Sequence, residues 1–157
     1  MPEKTVMLDR KVPAFCAAAS GGRKWQLADA AGSNLVVYFY PRDNTSGCSR
    51  EGEAFRDLHA KFSKAGTEIV GVSPDSVASH DRFIARYGFT FPLLADEDKA
   101  VCQLFGVWQE KSMYGRKYMG VERSTFLVDA KGVLRREWRK VKVPGHADEV
   151  LAAAAAL

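Results

Sequence analysis

The residues most suited to chemistry lie in one stretch, Phe39-Tyr40-Pro41-Arg42-Asp43-Asn44-Thr45-Ser46-Gly47-Cys48-Ser49-Arg50-Glu51. It sets a cysteine between the end of an apolar run and the start of a helical pattern. A thiol in the first turn of a helix faces unpaired N–H groups and the positive end of the helix dipole, and both favour an anion. In such a place a cysteine moves from an ordinary pKa of about 8.5 towards neutrality and becomes thiolate, its nucleophilic form. Cys48 is therefore a candidate nucleophile. The competing reading is a small buried hydrophobe, the usual part of a free cysteine. The polar neighbours Thr45, Ser46 and Ser49 speak against an apolar pocket.

The other reactive side chains form no comparable group. Cys16 and Cys102 complete an odd count of three cysteines at wide spacing, and no Cys-x-x-Cys pair is present. The N-terminus, Met1-Pro2-Glu3-Lys4-Thr5, lacks the basic-then-apolar order of a secretory signal. A disulfide framework is not expected, and the chain reads as cytoplasmic. His59, His80 and His146 stand apart, none at the spacing of a zinc site, so no metal is expected.

The elements that must position Cys48 can be read from periodicity. Leu35-Val36-Val37-Tyr38-Phe39-Tyr40 has the signature of a central strand buried on both faces, ended by Pro41. Phe55, Leu58 and Phe62 then recur at helical spacing up to Gly66. Residues 67–73 read as a second buried strand, broken by Pro74 and Asp75. Ser76 suits the cap of a helix through Tyr87, with Val77, Ile84 and Tyr87 facing inward and Gly88 closing it. Phe91-Pro92-Leu93-Leu94 is a short extended piece, and Asp96 or Asp98 can cap a brief helix through Phe105, closed by Gly106. Residues 124–129 and 133–140 form a hairpin about Lys131-Gly132, and a last helix begins near Ala147. Residues 12–30 read as an N-terminal hairpin about Ser20-Gly21-Gly22. Strands alternating with helices predict an α/β layer structure, and the closing hairpin makes its sheet mixed.

Composition bounds the rest. A chain of 157 residues is expected to form a single domain over 1–157. Its longest apolar run is far short of the roughly 20 residues a membrane helix needs, so no membrane partner is expected. The net charge of +4 is small and mixed along the chain. The basic stretch Arg135, Arg136, Arg139, Lys140 and Lys142 alternates with Trp138, Val141 and Val143, as a strand with one wet face would. No aromatic stacking pattern accompanies it, and nucleic acid is not an expected partner.

Taken together, Pro41-x-x-x-Thr45-x-x-Cys48 after an apolar strand, Glu51, the strand with Ser-Pro-Asp at 70–75, Phe91-Pro92-Leu93 with Asp96, and Glu122-Arg123-Ser124-Thr125-Phe126-Leu127-Val128-Asp129 resemble a peroxiredoxin. The branch they resemble is the bacterioferritin-comigratory-protein, or PrxQ, type. The resemblance implies a thioredoxin-like fold with an N-terminal hairpin, no cofactor, and a thiol peroxidase active on hydrogen peroxide and organic hydroperoxides. Cys48 would be the peroxidatic cysteine, passing from thiolate to sulfenic acid. Thr45 would donate to the peroxide, Arg123 would hold the thiolate and contact substrate, and Pro41 would shield the sulfur. The N–H groups of Gly47 and Cys48 would complete the donors. Glu51 would orient Arg123 or help cap the helix.

The chain departs from that pattern in one consequential respect. The branch commonly carries a resolving cysteine five residues on, or in the helix after the second core strand; here those places hold Glu53 and a cysteine-free segment with Ile84. Ser46 and Ser49 also replace a common proline and threonine. The implied route is one-cysteine recycling by an external thiol, from thioredoxin, glutaredoxin or glutathione. Two alternatives stand beside it, a redox sensor whose Cys48 does not turn over, and an internal bridge to Cys102. The branch's usual monomeric state is expected.

Overall fold

The computed structural model describes residues 6–157; the Met1–Thr5 stretch read for an export signal lies outside the described residues. Nine strands and four α-helices follow one another among them. They are β1 (Cys16–Ala19), β2 (Arg23–Gln26), β3 (Asn34–Phe39), α1 (Ser46–Lys64), β4 (Thr67–Ser73), α2 (Val77–Tyr87), β5 (Leu93–Ala95), α3 (Ala100–Leu104), β6 (Trp108–Met113), β7 (Arg116–Val121), β8 (Ser124–Val128), β9 (Leu134–Trp138) and α4 (His146–Ala155). Seven strands make one sheet in the order β2-β1-β5-β4-β3-β8-β9. The β5-β4-β3 centre is parallel and the outer pairings are antiparallel, as the mixed-sheet expectation requires.

The apolar run of β3 divides the core in two. Leu35, Val37 and Phe39 join Val70, Val72, Cys102, Phe105 and Phe126 on one face of the sheet, while Val36 and Tyr38 join Phe55, Phe62, Phe83 and Val150 on the other. The pleat sends successive side chains to opposite faces, so a strand at the centre must be apolar throughout. Helices α1, α2 and α4 therefore cover one face, and α3 covers the other.

Local signals place most boundaries. The Ser76 hydroxyl accepts the Ser79 N–H at 3.1 Å, and Gly88 ends α2 at φ 66°. Asp96, rather than Asp98 alone, organises α3, its carboxylate accepting the N–H groups of Val101 and Cys102 at 3.0 and 2.7 Å. The inward face of α2 differs from the expected one. His80 and Phe83 are its fully buried residues, while Val77, Ile84 and Tyr87 are half-buried. Phe83 stacks edge-on against Phe89, and both His80 ring nitrogens meet buried oxygens, which turns the helix about its axis.

The sequence pattern does not announce β6 and β7, yet they form a separate two-stranded hairpin. Tyr114 and Gly115 both lie in the left-handed region, at φ 52° and 78°, as a tight hairpin turn demands. The basic stretch 135–142 is held by neighbours: Arg136 lies over Trp138, and Arg139 reaches the carbonyls of Phe105 and Gly106. No helix among the described residues is long and apolar enough to cross a membrane.

Candidate active site

Between β3 and α1 the chain must turn from a buried strand into a helix within six residues. Asp43 pins that turn. Its carboxylate accepts the Tyr40 hydroxyl at 2.6 Å and the Ser79 hydroxyl at 2.8 Å, and it lies 2.7 Å from His80 Nδ1. The Asp43 N–H donates to Asp75 at 2.8 Å, and Ser73 donates to the same oxygen. Asn44 then takes a left-handed φ of 61°, tolerable for asparagine, and directs Thr45 to the N-cap. Asp43, Asp75 and His80 are a group whose ligand atoms stand close enough for a cation. Those atoms already hold hydrogen bonds, Asp43 with His80 and Asp75 with the Asp43 N–H and the Ser73 hydroxyl, and His80 Nε2 lies 2.8 Å from the Leu94 carbonyl oxygen. Spacing in the sequence does not disclose this network, because its members come from three separate segments.

Cys48 stands in the first turn of α1, third after the N-cap, and is 2% exposed. The first helical bond spanning the cap runs from the Ser49 N–H to the Thr45 carbonyl at 2.8 Å. The N–H groups of Gly47 and Cys48 precede it and have no place in the helical ladder. Arg123 comes from the other side of the sheet's central pair. Phe39 pairs with Ser124, so the residue before β8 falls level with Tyr40, beside the mouth of α1. The backbone around it is tied down: Val141 donates to the Arg123 carbonyl at 3.0 Å and Glu122 donates to Val107 at 2.8 Å.

The guanidinium has two side-chain partners. Nη2 donates to Cys48 Sγ at 3.2 Å and Nη1 donates to Glu51 Oε1 at 2.5 Å. Gly47 makes room for this, since a Cβ there would stand 3.3 Å from Nη2. Burial alone would lower Arg123, but Glu51 and Cys48 beside it hold it above its ordinary value. Burial pushes Glu51 up to about 7, more than the attraction of Arg123 pulls it down. Glu51 lies one turn beyond Cys48 on the same face of α1, where it accepts from Arg123.

Thr45 and Pro41 flank the sulfur with less direct bonding. Pro41 follows β3 and is half-buried. Thr45 is exposed, and its hydroxyl donates to the Arg42 carbonyl at 2.9 Å instead of standing free as a donor. With its one proton so used, the hydroxyl offers lone pairs to an incoming ligand. Ser49, where threonine is common in the branch, has a buried hydroxyl without a hydrogen-bond partner among the described residues. A thiolate set under the first N–H groups of a helix and beside a guanidinium can attack a polarised bond and steady the group that leaves.

The remaining thiols lie elsewhere. Cys102 is fully buried in α3 on the opposite face of the sheet from Cys48, and burial pushes its thiol far up. Cys16 is exposed in β1, and all three cysteines are free. Cys102 is thus a packing residue, and the sheet stands between it and Cys48.

The family model described as AhpC/TSA family matches residues 8–137. Among curated proteins, the chain is 55% identical over 134 residues to "Peroxiredoxin Bcp" of Xanthomonas campestris pv. campestris, covering 85% of this chain and 84% of that protein. It is 42% identical over 147 residues to "Peroxiredoxin Bcp" of Bacillus subtilis, covering 94% of each. Among solved structures it superposes with a TM-score of 0.87 on Xanthomonas campestris bacterioferritin comigratory protein, at 52% identity over 90% of each chain. That Xanthomonas protein has alkyl peroxide reduction activity.

Proposed function

Because this chain belongs to the AhpC/TSA family, and within it to the Bcp/PrxQ-type peroxiredoxins, we propose that its thiol peroxidase activity runs through Cys48 on hydrogen peroxide and alkyl hydroperoxides. The observation that carries this reading is the 3.2 Å contact between Arg123 Nη2 and Cys48 Sγ at the start of α1. The anionic sulfur attacks the nearer peroxide oxygen, the O–O bond breaks, and the electron pair leaves on the farther oxygen. That oxygen takes up a proton and departs as water or an alcohol, leaving Cys48 as a sulfenic acid. Arg123 and the N–H groups of Gly47 and Cys48 steady the charge as it moves from sulfur to oxygen. Thr45 accepts the O–H of the peroxide and holds it in line, and Pro41 limits water at the sulfur.

Recycling in this reading is by an external thiol of the thioredoxin, glutaredoxin or glutathione kind. Its support is the placement of Cys102 across the sheet and of Cys16 on the surface. We place the enzyme in the cytoplasm as a monomer formed by one domain over 1–157. The test is a coupled turnover assay with an external thiol. Many peroxides reduced per wild-type molecule, and none by Cys48→Ser, is the expected result. One oxidation per molecule and no more would replace the enzyme with a sensor, and full activity of Cys48→Ser would end the proposal.

A further inference from the structure

Beside Arg123, on the side of the β6-β7 hairpin, lies a cleft of about 370 Å³ whose charged lining is Glu110, Lys111, Glu122, Arg123 and Lys140. Both acids are engaged outside it, Glu122 with Arg139 at 3.4 Å and Glu110 with Lys117 at 3.7 Å. Arg123 already serves Glu51 and Cys48. Among the described residues no ion pair engages Lys111 or Lys140.

Lys111 is half-buried, its stem lying over Gly120, where a Cβ would stand 3.3 Å from Lys111 Cδ. Burial lowers its ammonium below the usual value and Arg123 lowers it further, while Cys48 and Glu122 oppose them. It is thus within electrostatic reach of both the guanidinium and the sulfur. Lys140 is held at φ 50°, a conformation costly for a lysine, next to the Val141 N–H that fixes Arg123. Two lysines outside any ion pair at one cleft, one of them partly desolvated, are disposed to receive an anion. Hydrogen peroxide carries none.

We infer that Lys111, assisted by Lys140, forms an anion subsite beside the peroxide position that receives a carboxylate carried by a reaction partner of Cys48. The inference rests on the peroxidase reading. The carboxylate belongs either to an alkyl hydroperoxide or to the reducing thiol, and the two half-reactions separate these sources.

Stopped-flow oxidation of Cys48 is compared for a carboxylate-bearing alkyl hydroperoxide and its methyl ester. Reduction of sulfenic Cys48 is compared for glutathione and its diethyl ester. We expect a preference of about fivefold for the free acid in one half-reaction at low salt, declining as salt screens it. The preference should vanish in Lys111→Met and persist in Lys111→Arg. A preference in the first half assigns the site to the hydroperoxide, and one in the second assigns it to the thiol. Equal rates for acid and ester in both halves would overturn the subsite, as would Lys111→Met slowing acid and ester alike. Wild-type consumption of hydrogen peroxide tests the underlying reading separately, since its absence would remove the peroxidase and not merely the subsite.

Discussion

Glu51 is held between two opposing demands, a buried position that disfavours its charge and an arginine that needs it. In the unfolded chain it titrates near 4.5, and in the folded protein burial raises it to about 7. Between these values the folded state holds the extra proton, so the stability Glu51 contributes is full below 4.5 and is lost as pH rises through 7. Glu51→Gln keeps an acceptor for Arg123 and cannot ionise. Urea unfolding at several pH values should show a flatter dependence over that window in the variant; an unchanged decline would exonerate Glu51. Arg123→Met should slow Cys48 oxidation by roughly 10² to 10³-fold, the scale of a lost donor to developing charge, measured by tryptophan fluorescence in rapid mixing. At this scale the placement of Cys48 was legible, because an apolar strand ended by proline and followed by a helical pattern leaves the cysteine in the first turn of the helix. The use of the Thr45 proton was not, since it depends on where the Arg42 carbonyl points.

Elements hold the site through contacts between segments distant in sequence. Gly52 of α1 faces Phe89, and a Cβ there would come within 2.5 Å of the ring. Gly52→Ala should therefore cost about 1 to 3 kcal/mol in chemical denaturation through overpacking, with the first turn of α1 displaced. His146 opens α4, where its Nε2 lies 2.8 Å from Thr125 Oγ1. Burial pushes it down to about 4, so its contribution is present above the unfolded value of 6.5 and is lost as pH falls through 4. His146→Gln should flatten that acid limb of the stability profile, opposite in sign to the limb of Glu51. Strands β3, β4 and β8 were legible because, Asn34 and Glu68 apart, their residues are apolar or small and buried. The β6-β7 hairpin was not, because Gln109, Glu110, Lys111, Ser112 and Lys117 give no alternation of wet and dry faces, and Tyr114-Gly115 alone marks the turn. The hairpin is also what brings Lys111 towards Arg123.

For the molecule as a whole, the seven-stranded sheet decides which thiols can meet. Intact mass after one equivalent of peroxide should show one added oxygen on Cys48, trapped by a sulfenic-specific reagent. A loss of two hydrogens mapped to Cys48 and Cys102 would contradict the layered separation of the two. The α/β order of elements and the mixed sheet were readable from periodicity, whereas which face each thiol occupies required the twist and register of the assembled strands. An oxidising equivalent received at the α1 end has no internal conductor to the interior sulfur. Under the proposed recycling by an external thiol, flux is set by encounters with thiols in the surrounding fluid, and a shortage of those solutes exposes Cys48 to further, irreversible oxygen addition.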